Sequence, residues 1–173
     1  MTQLSYQPAF DPFHTVFRFL RLRQAVISDL AIPRDHFRIL DFYLLFPFRI
    51  KDFRVFSTHR RYKKLGIEYE KAKPYGDLPE DRVIFSRMKN IQQVALDTLV
   101  AKGLVDSTAM QVGMVKATEA ALPDNIRVSI DAANELEVLL IEFLRVLARE
   151  YVLLGDKGLK ERSGLMEHRY DAA

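Results

Sequence analysis

The stretch DRVIFSRMKNIQQVALDTLVAKGLVDSTAMQVGMVKATEAAL, residues 81–122, decides the reading of the fold. Ile84, Met88, Ile91, Ala95 and Leu99 recur at steps of three and four residues, which predicts an amphipathic helix. Pro79-Glu80-Asp81 sets acidic groups at its positive end, and Gly103 after Lys102 suits a C-terminal cap. Leu104-Val105 is then a short apolar run, Asp106-Ser107-Thr108 a turn, Met110 to Val115 a second strand, and Thr118 to Leu122 a short capped helical turn. Helix, strand, turn, strand is the pattern of the third helix and β-wing of a winged helix-turn-helix. Its first helix is expected at Arg34–Phe46, between Ile32-Pro33 and Pro47. Its middle helix would have to come from residues 49–78, where Ile67 to Asp77 reads as a loop.

The flanks extend this into a mainly α chain. Asp11-Pro12 resembles an N-cap followed by proline at the first helical position, opening a helix from about Phe13 to Leu30. Residues 39–46, ILDFYLLF, are apolar nearly all round, so Asp41 needs a partner; an arginine of the first helix (Arg18, Arg21 or Arg23) is the natural candidate. After Leu122 a long C-terminal helix is expected from Asn125 or Ser129 to Leu154, ended by Gly155. Its apolar face is wide enough for two neighbours. The expected organisation is one compact unit: residues 1–30 as lead-in and helix, 31–122 as a winged-helix-like module with a basic insert, and 123–173 as long helix and tail.

Composition bounds the function. With 49% hydrophobic residues, 173 residues can bury a core without staples, and the absence of cysteine excludes disulfides, Cys-based zinc sites and a thiol nucleophile. The first residues lack the pattern of a signal peptide and no window has the apolar length of a membrane span, so a cytoplasmic location is expected. His14, His36, His59 and His168 stand in no metal or catalytic spacing, and no nucleotide-binding or nucleophile motif occurs. No enzymatic activity, cofactor, metal or small-molecule substrate is therefore expected.

Charge is divided unevenly. Residues 1–75 hold 14 Lys and Arg against 7 Asp and Glu, and the remainder 12 against 16. Within residues 49–64, RIKDFRVFSTHRRYKK, the cations Arg49, Lys51, Arg54, Arg60, Arg61, Lys63 and Lys64 interleave with Phe53, Phe56 and Tyr62. Such a segment can meet phosphates, with aromatics to stack on bases, or an acidic partner; a solvated surface whose phenylalanines plug the core is the plain alternative. On the predicted helix at 81–101, Arg82, Ser86, Lys89 and Gln93 share a polar face of residue types that read base edges, although Asp81 and Asp97 on it would repel phosphate. The C-terminal seam Leu136, Leu140, Phe143, Leu144, Leu147 and Tyr151 is the candidate partner interface, with packing inside the chain as its alternative.

Three strings together resemble a known family: YQPAFDPFH at residues 6–14, Arg18 to Arg21, and ILDFYLLFP at residues 39–47. They are similar to the middle components of bacterial ABC three-component systems, and the winged-helix-like stretch from Asp81 to Leu122 is similar in placement. The resemblance implies a non-enzymatic adaptor between an SMC-like or ABC-type ATPase and an effector, such as a nuclease, as in Lamassu-like anti-phage defence. It carries no catalytic residues over; Tyr6, Pro8, Asp11, His14, Asp41 and Pro47 are its motif positions here. The rival reading is a free-standing winged-helix transcription regulator that dimerises through the C-terminal helix and binds a palindromic duplex.

Overall fold

The computed structural model describes residues 7–73 and 76–167. In these, eight helices and one two-stranded antiparallel sheet make a mainly helical chain. The order is α1 (Pro12–Ala25), β1 (Ala31–Pro33), α2 (Arg34–Leu45), α3 (Tyr62–Lys71), α4 (Asp81–Ala101), α5 (Ser107–Gln111), β2 (Met114–Lys116), α6 (Asp124–Leu136), α7 (Val138–Glu150) and α8 (Leu159–Ser163). Short 3-10 turns occupy Gln7–Phe10, Pro47–Lys51 and Ser57–His59. The buried apolar residues form one cluster running from Ala9 to Leu165. No helix among the described residues is long and apolar enough to cross a membrane.

Local signals place most of these elements. Asp11 caps α1 by accepting the His14 N–H at 2.9 Å, with Pro12 at the first helical position. The helix stops at Ala25 instead of Leu30: the N–H groups of Val26 and Ile27 both close on the Leu22 carbonyl, and the chain turns into β1. Pairing β1 with β2 sets Ala31 opposite Lys116, Ile32 opposite Val115 and Pro33 opposite Met114. Val105 bridges Ala117, and the Asp106 N–H donates to the Lys116 carbonyl at 2.9 Å, so the Leu104–Asp106 segment borders β2 opposite β1. The sheet after α4 is therefore present, with its second strand at Met114–Lys116 and not Met110–Val115. Asp106 is an N-cap, accepting the Ala109 N–H at 2.7 Å, and it folds Ser107–Gln111 into a helix. Residues 118–122 form no helix; Arg23 holds this chain from beneath by donating to the carbonyls of Leu104, Thr118 and Ala120 at 2.7–2.8 Å.

Two further expectations change. Ile67 to Lys71 is helix, not loop, because α3 carries Tyr62, Leu65 and Tyr69 toward the core within a charged sequence. It packs on the Pro47–Lys51 turn and on α7, while the helix alongside α4 is α1, so α3 does not take the middle position of a helix-turn-helix. Close approach is needed here: a Cβ on Gly66 would lie 2.3 Å from the Lys51 nitrogen. The long C-terminal helix is broken at Glu137 (φ −121°, ψ 39°) into α6 and α7, and α7 ends at Glu150, where Tyr151 turns extended. Glu137 accepts from Arg21 at 2.7 Å and from the Tyr69 hydroxyl at 3.0 Å, which pins the joint to α1 and α3.

The central polar contact is the fork of Arg18 on Asp41. Nε and Nη2 reach the two carboxylate oxygens at 2.6 and 3.1 Å, and the Asp41 side chain is fully buried. Gln92 of α4 donates to Asp41 Oδ2 at 2.8 Å and accepts from Arg38 Nε at 2.8 Å, while Arg18 also donates to the Pro8 carbonyl at 2.9 Å. One polar knot thus joins the Gln7–Phe10 turn, α1, α2 and α4.

Three consequences can be measured by chemical denaturation. Arg18→Met strands a buried carboxylate and should cost about 3–5 kcal/mol, with Arg18→Met/Asp41→Leu recovering part of that loss. Gly66→Ala should cost about 1–3 kcal/mol by forcing α3 off the Lys51 backbone. His36, buried on α2 with Nε2 2.9 Å from the Leu147 carbonyl, has its pKa lowered from 6.5 by burial, an effect the carbonyl bond partly offsets. The unfolded chain therefore takes up this proton first, and stability should fall as pH drops below 6.5. His36→Gln should flatten that slope between pH 7 and 5.5.

Candidate partner and nucleic-acid interface

The basic segment is divided by its neighbours. Arg49 pairs with Asp81 at 2.9 Å, Lys51 with Glu70, Arg54 with Glu161 at 2.6 Å and Arg61 with Glu142 at 2.7 Å. Burial raises the Asp81 pKa, and Arg49 works against it. Arg60, Lys63 and Lys64 have no carboxylate partner among the described residues, and Arg60 and Lys64 are exposed. The interleaved aromatics turn inward. Phe53 and Tyr62 are buried, and Phe56 stacks on Tyr151 with ring centroids 4.3 Å apart under the Arg162 guanidinium. The cations thus lie on a surface whose aromatic rings are spent on the core, leaving none of these three to stack freely on a base.

Residues beyond α7 help to neutralise this segment. The Arg54 N–H donates to the Arg162 carbonyl, and the Arg162 guanidinium returns a bond to the Arg54 carbonyl. Farther on, Leu165 is buried and Met166 half-buried against α4, in a groove of about 290 Å³ that Arg82, Phe85, Ser86 and Lys89 also line. Glu167 stands 3.6 Å from Arg82. The predicted polar face therefore exists as one surface, with Arg82, Ser86 and Lys89 exposed, but the chain at 165–167 lies against its N-terminal half. Its far end is engaged as well: Gln93 accepts from Arg34 at 3.2 Å and donates to Asp97 at 2.8 Å.

The candidate partner seam needs correction. Leu140, Phe143, Leu144 and Leu147 are fully buried and Tyr151 nearly so, because α7 packs against α2 and α3 in this chain's own core. Of the six residues only Leu136, 87% exposed, is open to a partner. The apolar surface here lies one face away, where Leu136, Val138 and Leu139 are exposed around the α6–α7 joint. Leu139 also forms a wall of a groove of about 320 Å³ between α3 and α7, with Tyr62, Leu65, Arg61 and Lys64. Periodicity alone does not mark this groove. Its signals in the sequence are Leu65 within a charged run and Leu139, an apolar residue beside the Leu136–Leu140 seam.

His36 and His59 tie elements of the fold together. His14 is exposed, whereas His36 ties α2 to α7. His59 Nδ1 shares a hydrogen bond of 2.9 Å with the Tyr151 hydroxyl, which also accepts the Phe56 N–H, and its Nε2 lies 3.1 Å from Glu150. Burial raises the Tyr151 pKa, and the Phe56 bond offsets part of this. His168 lies outside the described residues. No cluster of three or more metal-ligating side chains occurs among the described residues.

Compared with known proteins, residues 4–171 match the family described as ABC-three component (ABC-3C) system Middle Component 5. No curated protein and no solved structure matches the chain. A match over nearly the whole length, on a mainly helical chain with a small β-wing, has one consequence for classification: the chain belongs to the Middle Component 5 family of ABC three-component systems.

Proposed function

We propose that this chain is a non-enzymatic adaptor that holds an SMC-like or ABC-type ATPase and an effector in one bacterial anti-phage complex. The single observation that carries the reading is the family match over residues 4–171, since a middle component of a multi-component system implies protein partners. The surface suits an adaptor, because the core is closed around α7 while Leu136, Val138 and Leu139 remain exposed at a joint clamped by Arg21 and Tyr69. Exposed apolar groups on a rigid elbow cost little to order on binding.

The winged-helix reading has topological support. β1 lies between α1 and α2 and pairs with β2 beyond α4, and the Leu104–Asp106 segment borders β2, which is the order of a winged helix with α1, not α2, as its first helix, α2 in the middle position and α3 inserted. Such modules serve as protein-interaction units as well as DNA readers. DNA readout by α4 is the weaker use here, because Leu165–Glu167 share a groove with Arg82, Ser86 and Lys89 and set the Glu167 carboxylate 3.6 Å from Arg82.

Light scattering during size exclusion tests the adaptor. The 20.1 kDa chain should run alone as a monomer and shift into a stable complex with the other two components of its system. A homodimer that ignores both components and binds a palindromic duplex would establish the regulator instead.

A further inference from the structure

The groove between α3 and α7 combines two features that a solvent-facing surface has no need to combine. Its walls are apolar, with Leu65 and Tyr62 on one side and Leu139 on the other. Its rim is unevenly charged. Glu68 and Glu142 face the groove already paired, with Lys71 at 2.9 Å and Arg61 at 2.7 Å. Lys64 lines it with no carboxylate partner among the described residues, and Arg60, equally unpartnered there and exposed, stands in the turn that leads into α3. The uncompensated charge beside the exposed leucines is therefore positive.

We propose that this groove docks an amphipathic helix of a partner protein, its apolar ridge seated between Leu65 and Leu139 and its acidic flank on Arg60 and Lys64. The proposal rests on the adaptor reading and names the partner chemistry. Helix-in-groove recognition needs an apolar trough for residues spaced three and four apart, and charge complementarity at the rim sets orientation and encounter rate. A phosphate backbone fits less well. It has no use for exposed leucines, and it would meet the carboxylates of Glu68 and Glu142 in the same trough.

The test uses the full chain and each of the other two components of its system. Binding is measured by calorimetry for the wild type, for Leu139→Asp, for Arg60→Glu/Lys64→Glu and for Arg60→Lys/Lys64→Arg. These side chains are exposed, and circular dichroism and melting curves verify that each variant folds. Both Leu139→Asp and the charge reversal should weaken binding to one component about tenfold or more. The conservative pair should retain it, affinity should fall with added salt, and amide exchange in the complex should slow at residues 60–68 and 136–142. Unchanged affinity for both disruptive variants, or protection confined to other surfaces, overturns the groove while leaving the adaptor intact. A wild type that binds neither component overturns the adaptor reading and the groove with it. A 20-base-pair duplex provides the remaining arm: charge reversal that abolishes duplex binding and leaves every protein complex intact assigns the patch to nucleic acid and overturns the proposal.

Discussion

A fully buried carboxylate at Asp41 is the constraint around which the helices are arranged. It sits in one of the most apolar runs of the chain, where an unpaired charge would not be tolerated, and α1 and α4 each supply a side chain to satisfy it. Arg18 supplies a planar fork that matches both oxygens and anchors the Gln7–Phe10 turn through Pro8. Gln92 fills the remaining acceptor site and passes the link to Arg38, whose guanidinium also stands over the Phe85 ring at 4.5 Å. Each donor comes from a different element, so the relative placement of α1, α2 and α4 follows from satisfying a single acid. The small sheet is then carried by the same helices, with Arg23 one turn along α1 gathering the carbonyls of the segments that flank β2.

The second half of the molecule hangs on a different set of polar ties. Arg21, on the neighbouring face of α1, reaches Asn134 and Glu137 and holds the α6–α7 joint, which Tyr69 of α3 holds from the other side. Three arginines interrupting an apolar helix thus divide the tertiary contacts of α1 among the core knot, the sheet and the joint. Because the joint is clamped, Leu136, Val138 and Leu139 are presented in a fixed arrangement on the surface, and the α3–α7 groove is a consequence of the same clamp. An adaptor profits from such rigidity, since little conformational freedom remains to be lost when a partner docks.

Much of this was legible in the residues. The capping role of Asp11, the need of Asp41 for a first-helix arginine, the stripe of α4 and the family strings could all be read directly, because each depends on neighbours in sequence or on an unavoidable desolvation cost. The candidate surfaces were less so. The seven cations of residues 49–64 look alike as a run of letters, yet four are met by carboxylates from residues 70, 81, 142 and 161, and only the folded chain separates them from Arg60, Lys63 and Lys64. The α4 polar face was equally readable, whereas the chain at 165–167 lying on it was not.

Periodicity, caps and short motifs are local properties, and they sufficed to read the chain as mainly helical, to place the starts of α1, α2, α4 and α6, and to point to the family. Tertiary structure alone decided which apolar face is buried. The seam through Leu140, Phe143, Leu144 and Leu147 carries the same periodic signal whether a partner or the chain's own α2 and α3 cover it. The break at Glu137 had no local announcement either. No proline or glycine stands there, and the bend is held by Arg21 and Tyr69, residues 116 and 68 positions away along the chain. A side-chain pattern records what must leave water, but not which distant group will meet it, and that is why the core could be foreseen while the open surface could not.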